Sequence, residues 1–315
     1  MSKSRLSAIH GIGEISHHGE YAGAKAKNTA VFQERMNTNG KLVAGIEEAI
    51  RASGLRDGMT ISFHHHFRNG DYIVNMVMDA VARLGIRDLV VAASSLQAIH
   101  APLIGHIRNG VVRRIETSGL RGELAAEISH GLMDIPVVFR SHGGRAAAIA
   151  CGELNIDVAF LGASSCDAYG NANGFSRAEG HTTNCGSLGY AMVDAQYADK
   201  VVILTDCIVD YPNTPCAIPE NQVDYVVKVD SIGDPKGIMS GATRYSRDPK
   251  ELLIAKMTAE VCEASGYLYD GFSMQMGSGG ASLAACRYIR EKMIGQGIRC
   301  SYALGGITGQ ITAMH

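Results

Sequence analysis

The sequence predicts an α/β fold, a mostly parallel sheet with helices on both faces, followed by the start of a second, similar domain. Short apolar runs of strand length alternate with helical stretches of about ten residues, the pattern of a parallel sheet covered on both sides. The runs Val90-Val91-Ala92 and Val158-Ala159-Phe160-Leu161 are apolar throughout, as strands buried on both faces should be. Beyond Asp270-Gly271 the same order of strand, glycine turn and helix begins again.

In chain order, residues 1–40 are irregular and rich in Gly, His and Ala, and read as an arm lying over the body or meeting a partner. Its histidines His10, His17 and His18 read as solvated. Leu42, Val43, Ile46 and Ile50 recur at helical spacing, and Asp57-Gly58 ends that helix before a β-rich run over 59–63. Alternation follows: helix 72–84, strand 89–93, helix 96–107, strand 111–116, helix 122–132, strand 136–140, helix 144–151, strand 156–161. The stretch 167–174 is turn-rich, and strands resume at 190–193, 201–204 and 223–229 around a three-proline loop at 210–220.

Asp248 as N-cap and Pro249 in the first turn open a helix to about 264, closed by Ser265-Gly266. Strand 272–276, a Gly-Ser-Gly-Gly turn, helix 281–294 and strand 300–304 complete the chain. Two strands are marginal alone, so either a second chain completes them or the sequence is a fragment. The expected organisation is an arm at 1–40, a first α/β domain at 41–250, and a linker helix with an incomplete second domain at 251–315.

A chain of 315 residues has room for roughly two domains of about 150 residues. The net charge of −2 gives no overall attraction to nucleic acid or to acidic membrane surfaces. No apolar run approaches the roughly 20 residues that span a bilayer. No apolar segment follows the basic N-terminus, so no secretory signal is expected. Eight cysteines without a C-x-x-C pair read as reduced thiols of a cytoplasmic protein, with no zinc cluster.

Four glycine-bearing turns could carry chemistry, each with a plain strand-to-helix turn as the alternative. His64-His65-His66-Phe67-Arg68-Asn69-Gly70-Asp71 follows a strand and enters a helix, where backbone N–H groups can hold an anion. Consecutive histidines point to opposite sides of an extended chain and no further ligand stands nearby, so metal is disfavoured. Thr117-Ser118-Gly119-Leu120-Arg121-Gly122 and Ser141-His142-Gly143-Gly144-Arg145 are turns of the same type. As they follow different strands of one parallel sheet, they should crowd along one edge. The fourth, Met276-Gly277-Ser278-Gly279-Gly280, could offer N–H groups to an oxyanion, with Gly277, Gly279 and Gly280 as donors. The fingerprints of a dinucleotide site and of a P-loop are both missing. Cys166 and Cys185 read as buried structural thiols, and Glu153, Asp167 and Glu179 stand near glycine turns with nothing that marks them as reactive.

The run from Asp57 to Asp71 resembles the opening signature of family I coenzyme A transferases, with histidines where most members have paired glycines. That replacement is typical of citrate lyase alpha subunits. Ser118–Gly122, Ser141–Arg145, Gly152–Gly162, Cys185–Ala191, Phe272–Leu283 and Ala303–Thr308 resemble the same family, and the likeness covers about Lys41 to the last residue. The resemblance implies a citrate CoA-transferase: citrate replaces acetate on the thioester of an acyl carrier protein, through a mixed anhydride, to give a citryl thioester. It implies a beta subunit and an acyl carrier protein as partners in an oligomeric complex. The thioester is carried by a prosthetic group derived from dephospho-CoA, or by acetyl-CoA, and no cofactor is bound directly.

A site for this chemistry must neutralise a tricarboxylate and stabilise a tetrahedral oxyanion. Expected to bind substrate are His64, His65, Arg68, Asn69, Gly70, Ser118, Arg121, Ser141, His142, Gly143, Gly144 and Arg145. Related transferases carry a catalytic glutamate in a second half that this sequence does not match, so no nucleophile is nominated. Two other readings share the anion-binding turns: a non-catalytic binding or assembly module of the complex, and a sugar-phosphate isomerase or sensor.

Overall fold

The computed structural model describes residues 40–64, 66–238, 246–277, 279–305, 307, 309–312 and 314. The expected N-terminal arm, except for Gly40, falls outside these residues, as does His65.

The main sheet has eight strands, and every neighbouring pair is parallel. In chain order they are β1 (Leu42–Val43), β2 (Thr60–Phe63), β3 (Leu89–Ala93), β4 (Val112–Thr117), β5 (Val138–Phe139), β6 (Val158–Gly162), β9 (Lys200–Thr205) and β11 (Tyr225–Lys228). Across the sheet they run β1-β11-β9-β6-β2-β3-β4-β5. From β2 the chain winds outward to β5, then returns to lay β6 on the other side of β2 and winds the opposite way. The order therefore reverses between β2 and β6, which opens a crevice at their carboxyl ends.

Side-chain alternation divides the core. Val158 and Phe160 of β6 face one apolar cluster, while Ala159 and Leu161 face the other. The first cluster is covered by α1 (Ile46–Ser53), α2 (Ile73–Arg83), α3 (Leu103–Arg108) and α4 (Gly122–Ser129); the second by α5 (His142–Ala150) and α6 (Ala191–Tyr197). Helix α2 shows why the sequence folds this way. Ile73, Val74, Val77, Met78 and Val81 make one buried face, the Asp71 carboxylate accepts from the Ile73 N–H at 2.7 Å, and Gly85 at φ +76 stops the helix.

A three-stranded accessory sheet joins β7 (Ser165–Asp167), β8 (Ala172–Asn173) and β10 (Ile208–Val209). Asp167 organises the tight turn between β7 and β8. Its Oδ1 accepts the N–H groups of Tyr169, Gly170 and Asn171.

The C-terminal segment contains α7 (Pro249–Ala264), β12 (Phe272–Gln275), α8 (Gly280–Gln296), β13 (Cys300–Leu304) and the short α9 (Gly309–Thr312). Asp248 caps α7 through the N–H groups of Lys250 and Glu251. β12 and β13 pair in parallel, and Ala255 of α7 meets Ala284 and Ala285 of α8 in a small apolar cluster of their own. No helix of the described residues is long and apolar enough to cross a membrane.

Three local expectations are corrected. Leu42–Val43 is a strand on β11 rather than the start of a helix, because its backbone completes the sheet edge while the helix waits for Gly45. Residues 190–193 belong to helix α6: Leu188, Ala191, Ala195 and Ala198 are buried at helical spacing, which a short apolar run does not reveal. The helix expected over 96–107 divides into a single 3-10 turn, Ala98–His100, and α3, because Pro102 between them has no N–H to give.

Candidate functional site

Backbone hydrogen bonds extend past the strand ends and draw the turns into line. Ser94 N–H donates to Phe63 O, Ser118 N–H to Ser94 O, and Arg140 N–H to Thr117 O. The His64–Gly70, Ser118–Gly122 and Ser141–Gly144 turns thus follow one another along the carboxyl rim of β2, β4 and β5. Asn69 Oδ1 accepts from Ile99 N–H at 3.1 Å, and Leu96 bridges to Leu120, so the first two turns also lock together. Across the crevice, Tyr190 packs edge-on against His142 with centroids 5.4 Å apart, and a side chain on Gly189 would come within 3.9 Å of His64 Nε2.

The nominated residues fare differently on this rim. Asn69, Arg121, Ser141, His142 and Gly143 are exposed, Arg68, Ser118 and Gly144 are half-buried, and His64 and Gly70 are buried. Ser141 caps α5, its hydroxyl accepting from Gly144 N–H at 3.0 Å. Arg145 is not presented to the rim. Its guanidinium is buried against Asp194 and also donates to Ser62 Oγ and Ala92 O. The fourth turn stands apart from the other three: Gly279 and Gly280 begin α8 in the C-terminal unit, and Gly277 lines a cavity of about 470 Å³ with Thr258, Tyr267 and Met274. Glu153 pairs with Arg140 at 2.9 Å, and Asp167 is spent on its own turn.

Two buried ionisable groups of the first turn, His66 and Asp71, were not among the residues expected to bind substrate. His66 stands fully buried between Asp71, with Nδ1 3.3 Å from Oδ2, and the Ile232 carbonyl, 3.1 Å from Nε2. Burial opposes charge on both partners, yet each holds the other ionised: His66 is raised and Asp71 lowered from the ordinary values. Gly162, at the end of β6, makes room for the ring, since a Cβ there would lie 2.6 Å from Nε2. Just past the end of β9 the Asp206 carboxylate faces His181 Nε2 at 3.1 Å. A histidine three places past a strand end and an aspartate eight past it give no periodic signal. Only Gly162 ending a strand hinted at close packing.

Cys185 sits at the crevice wall, where its N–H donates to Ser164 Oγ at 2.9 Å. Burial pushes its thiol up to about 11, so it stays protonated at neutral pH. Cys166, in the middle of β7, is buried and its thiol is likewise pushed up by burial. The described residues contain no group of three or more His, Cys, Asp or Glu able to hold a metal ion.

The arrangement is a crossover crevice with strand-end turns along its rim, Arg68 half-buried on the β2 turn and Arg121 exposed on the β4 turn. Residues 39–315 match the family model described as citrate lyase, alpha subunit (CitF). The chain belongs to the citrate lyase alpha subunit family. The citrate lyase alpha chain of Haemophilus influenzae is 56% identical over 275 residues, covering 87% of this chain and 54% of the relative. A crystal structure of an alpha subunit of citrate lyase from Streptococcus mutans, in complex with citrate, aligns with a TM-score of 0.86 at 54% identity, over 96% of this chain and 58% of that one. An acyl-CoA transferase from Escherichia coli O157:H7 shares the fold, with a TM-score of 0.57 at 14% identity over 85% of this chain and 66% of that one. This family member thus has the α/β fold that its strand pattern predicts, of the CoA-transferase-like kind that the resemblance implies. It spans little more than half the length of the curated relatives it matches.

Proposed function

We propose that this chain forms the citrate-binding part of a citrate CoA-transferase, in which citrate displaces acetate from the acetyl thioester of an acyl carrier protein. The observation that carries the proposal is the line of strand-end turns along the carboxyl rim of the main sheet beside the β2–β6 crossover, with Arg68 on the β2 turn and Arg121 on the β4 turn. A tricarboxylate needs cations and N–H donors together, and guanidinium groups pair with carboxylates through two parallel hydrogen bonds. The citrate complex of the Streptococcus mutans relative supports the choice of ligand.

In the proposed reaction a citrate carboxylate attacks the thioester carbonyl, the new C–O bond forms, and the C–S bond breaks to release a thiolate. The thiolate then attacks the citryl carbonyl of the mixed anhydride, and acetate leaves. No net proton moves, so the site must supply positive charge and N–H donors rather than a base. His64, Asn69, Gly70, Ser118, Ser141, His142, Gly143 and Gly144 would shape and line the pocket. The C-terminal unit that holds Gly277, Gly279 and Gly280 is read here as the opening of a second domain from 251, and its turn is given no part in the citrate pocket. The thioester would arrive on the dephospho-CoA-derived group of the carrier protein or on acetyl-CoA. The beta subunit would consume the citryl thioester inside a cytoplasmic oligomeric complex.

Incubation of the chain with acetyl-acyl carrier protein and citrate, followed by mass spectrometry, tests the reaction; citryl thioester is the expected product. Titration calorimetry tests the pocket separately. Arg68→Ala and Arg121→Ala should each weaken citrate roughly 10- to 100-fold, the loss of a charged hydrogen bond. Wild-type protein that binds no citrate overturns the proposal.

A further inference from the structure

We infer that the buried His66–Asp71 pair is a positioning device, holding the backbone of Arg68 in the shape that meets a carboxylate without touching the ligand itself. This deepens the citrate-binding reading and rests on it.

The hydrogen bonds around His66 require an imidazolium. Nε2 faces the Ile232 carbonyl at 3.1 Å, while Nδ1 faces the Asp71 carboxylate and the His64 carbonyl, each at 3.3 Å. A neutral ring has one N–H and would turn a lone pair against an oxygen. The cation donates on both sides. It thereby ties the end of β2 to the loop after β11, while its ring fills the space left by Gly162 on β6.

Asp71 anchors the other end of the turn, its Oδ1 receiving the Ile73 N–H that opens α2. His100 lies on the far side of Asp71. Its Nδ1 accepts the Gln97 N–H at 3.0 Å, and burial lowers its pKa and holds it neutral. The charge that balances Asp71 therefore belongs to His66.

Between these anchors Arg68 is forced to φ +53, a left-handed conformation that non-glycine residues rarely adopt. Such strain persists only where the surroundings over-determine it, and it gathers at binding sites. Here the determinants are on either side of it in the chain: His66 two residues before and Asp71 three residues after. Gly70 adds to the constraint, since it packs too closely against the Asp234 carbonyl to carry a side chain. The backbone that carries the arginine nominated for the ligand is thus flanked on both sides by a charge pair that is itself fully buried.

A mutant cycle read by citrate calorimetry tests this. His66→Gln keeps a donor for the Ile232 carbonyl and removes the charge facing Asp71. Its citrate Kd should rise roughly tenfold, and Asp71→Asn should do the same by removing the other charge. If His66 acts through Arg68, then Arg68→Ala in the His66→Gln background should weaken binding no further than Arg68→Ala alone. A purely structural role for His66 predicts two independent losses that multiply. Multiplying losses, or folded His66→Gln and Asp71→Asn proteins that bind citrate as the wild type does, overturn the inference. If His66→Gln does not fold, the cycle is run with Asp71→Asn in its place. Wild-type protein that ignores citrate instead removes the functional reading beneath it.

Discussion

Arg145 grips both oxygens of Asp194, Nη1 to Oδ2 at 3.0 Å and Nη2 to Oδ1 at 2.7 Å, with side-chain exposures of 2% and 0%. The pair joins α5 to α6 under the sheet, and Ser62 also donates to the same carboxylate. Removing one partner of such a pair strands a buried charge. Arg145→Ala should therefore destabilise the protein by about 3–5 kcal/mol in urea denaturation, whereas Arg145→Met with Asp194→Leu should cost far less. A folded Arg145→Ala protein with unchanged stability and weakened citrate binding would return Arg145 to the rim.

Gly70 and Gly143 were nominated together, and their surroundings separate them. A Cβ on Gly70 would lie 2.1 Å from the Asp234 carbonyl oxygen, while one on Gly143 meets nothing within 4 Å. Gly70→Ala should cost about 1–3 kcal/mol through overpacking, and Gly143→Ala, inside helix α5, should be neutral or slightly stabilising. Thermal denaturation of the two variants side by side checks the contrast.

The His66–Asp71 pair makes stability depend on pH in two directions. His66 is raised above its ordinary 6.5, so its contribution is complete below that value and is lost as pH climbs through the raised pKa. Asp71 is lowered below its ordinary 3.8, so its contribution is complete above that value and fades as pH drops through the lowered pKa. The melting-temperature gap between wild type and His66→Gln should therefore be widest between about pH 4 and 6.5 and narrow on either side. A gap that does not vary from pH 4 to 9 would contradict a charged pair.

With its thiol pushed up to about 11, Cys185 should resist alkylation at pH 7.5 while the protein is folded. Iodoacetamide labelling followed by peptide mass spectrometry should show Cys185 modified rapidly only in denaturant or at strongly alkaline pH. Fast labelling of Cys185 in native protein at neutral pH would show that the wall of the crevice is open.

The strands of the main sheet were the most legible part of the sequence, because burial on both faces writes a continuous apolar run. β3 lies at 89–93 as expected, and β9 and β11 fall within a residue or two. α6 was misread for the same reason. Its run is short and apolar, and 190–193 shows neither period. At the site, the rule that turns of a parallel sheet share one edge placed three glycine turns correctly. The fourth turn lies in the segment from 251 that the sequence read as the start of a second domain, and it follows a strand of a separate two-stranded sheet.

Sequence by itself determined the fold class, the alternation of elements and the family, since these follow from local pattern and from runs of residues read in order. Only the tertiary structure decided which charged side chains are buried in pairs and which stay at the rim. Arg145 and Arg68 both follow strand ends, yet one is buried with Asp194 and the other is half-buried in the turn between His66 and Asp71. The physical reason is that the fate of a charge depends on the partner it meets across the fold, and Asp194 lies 49 residues from Arg145.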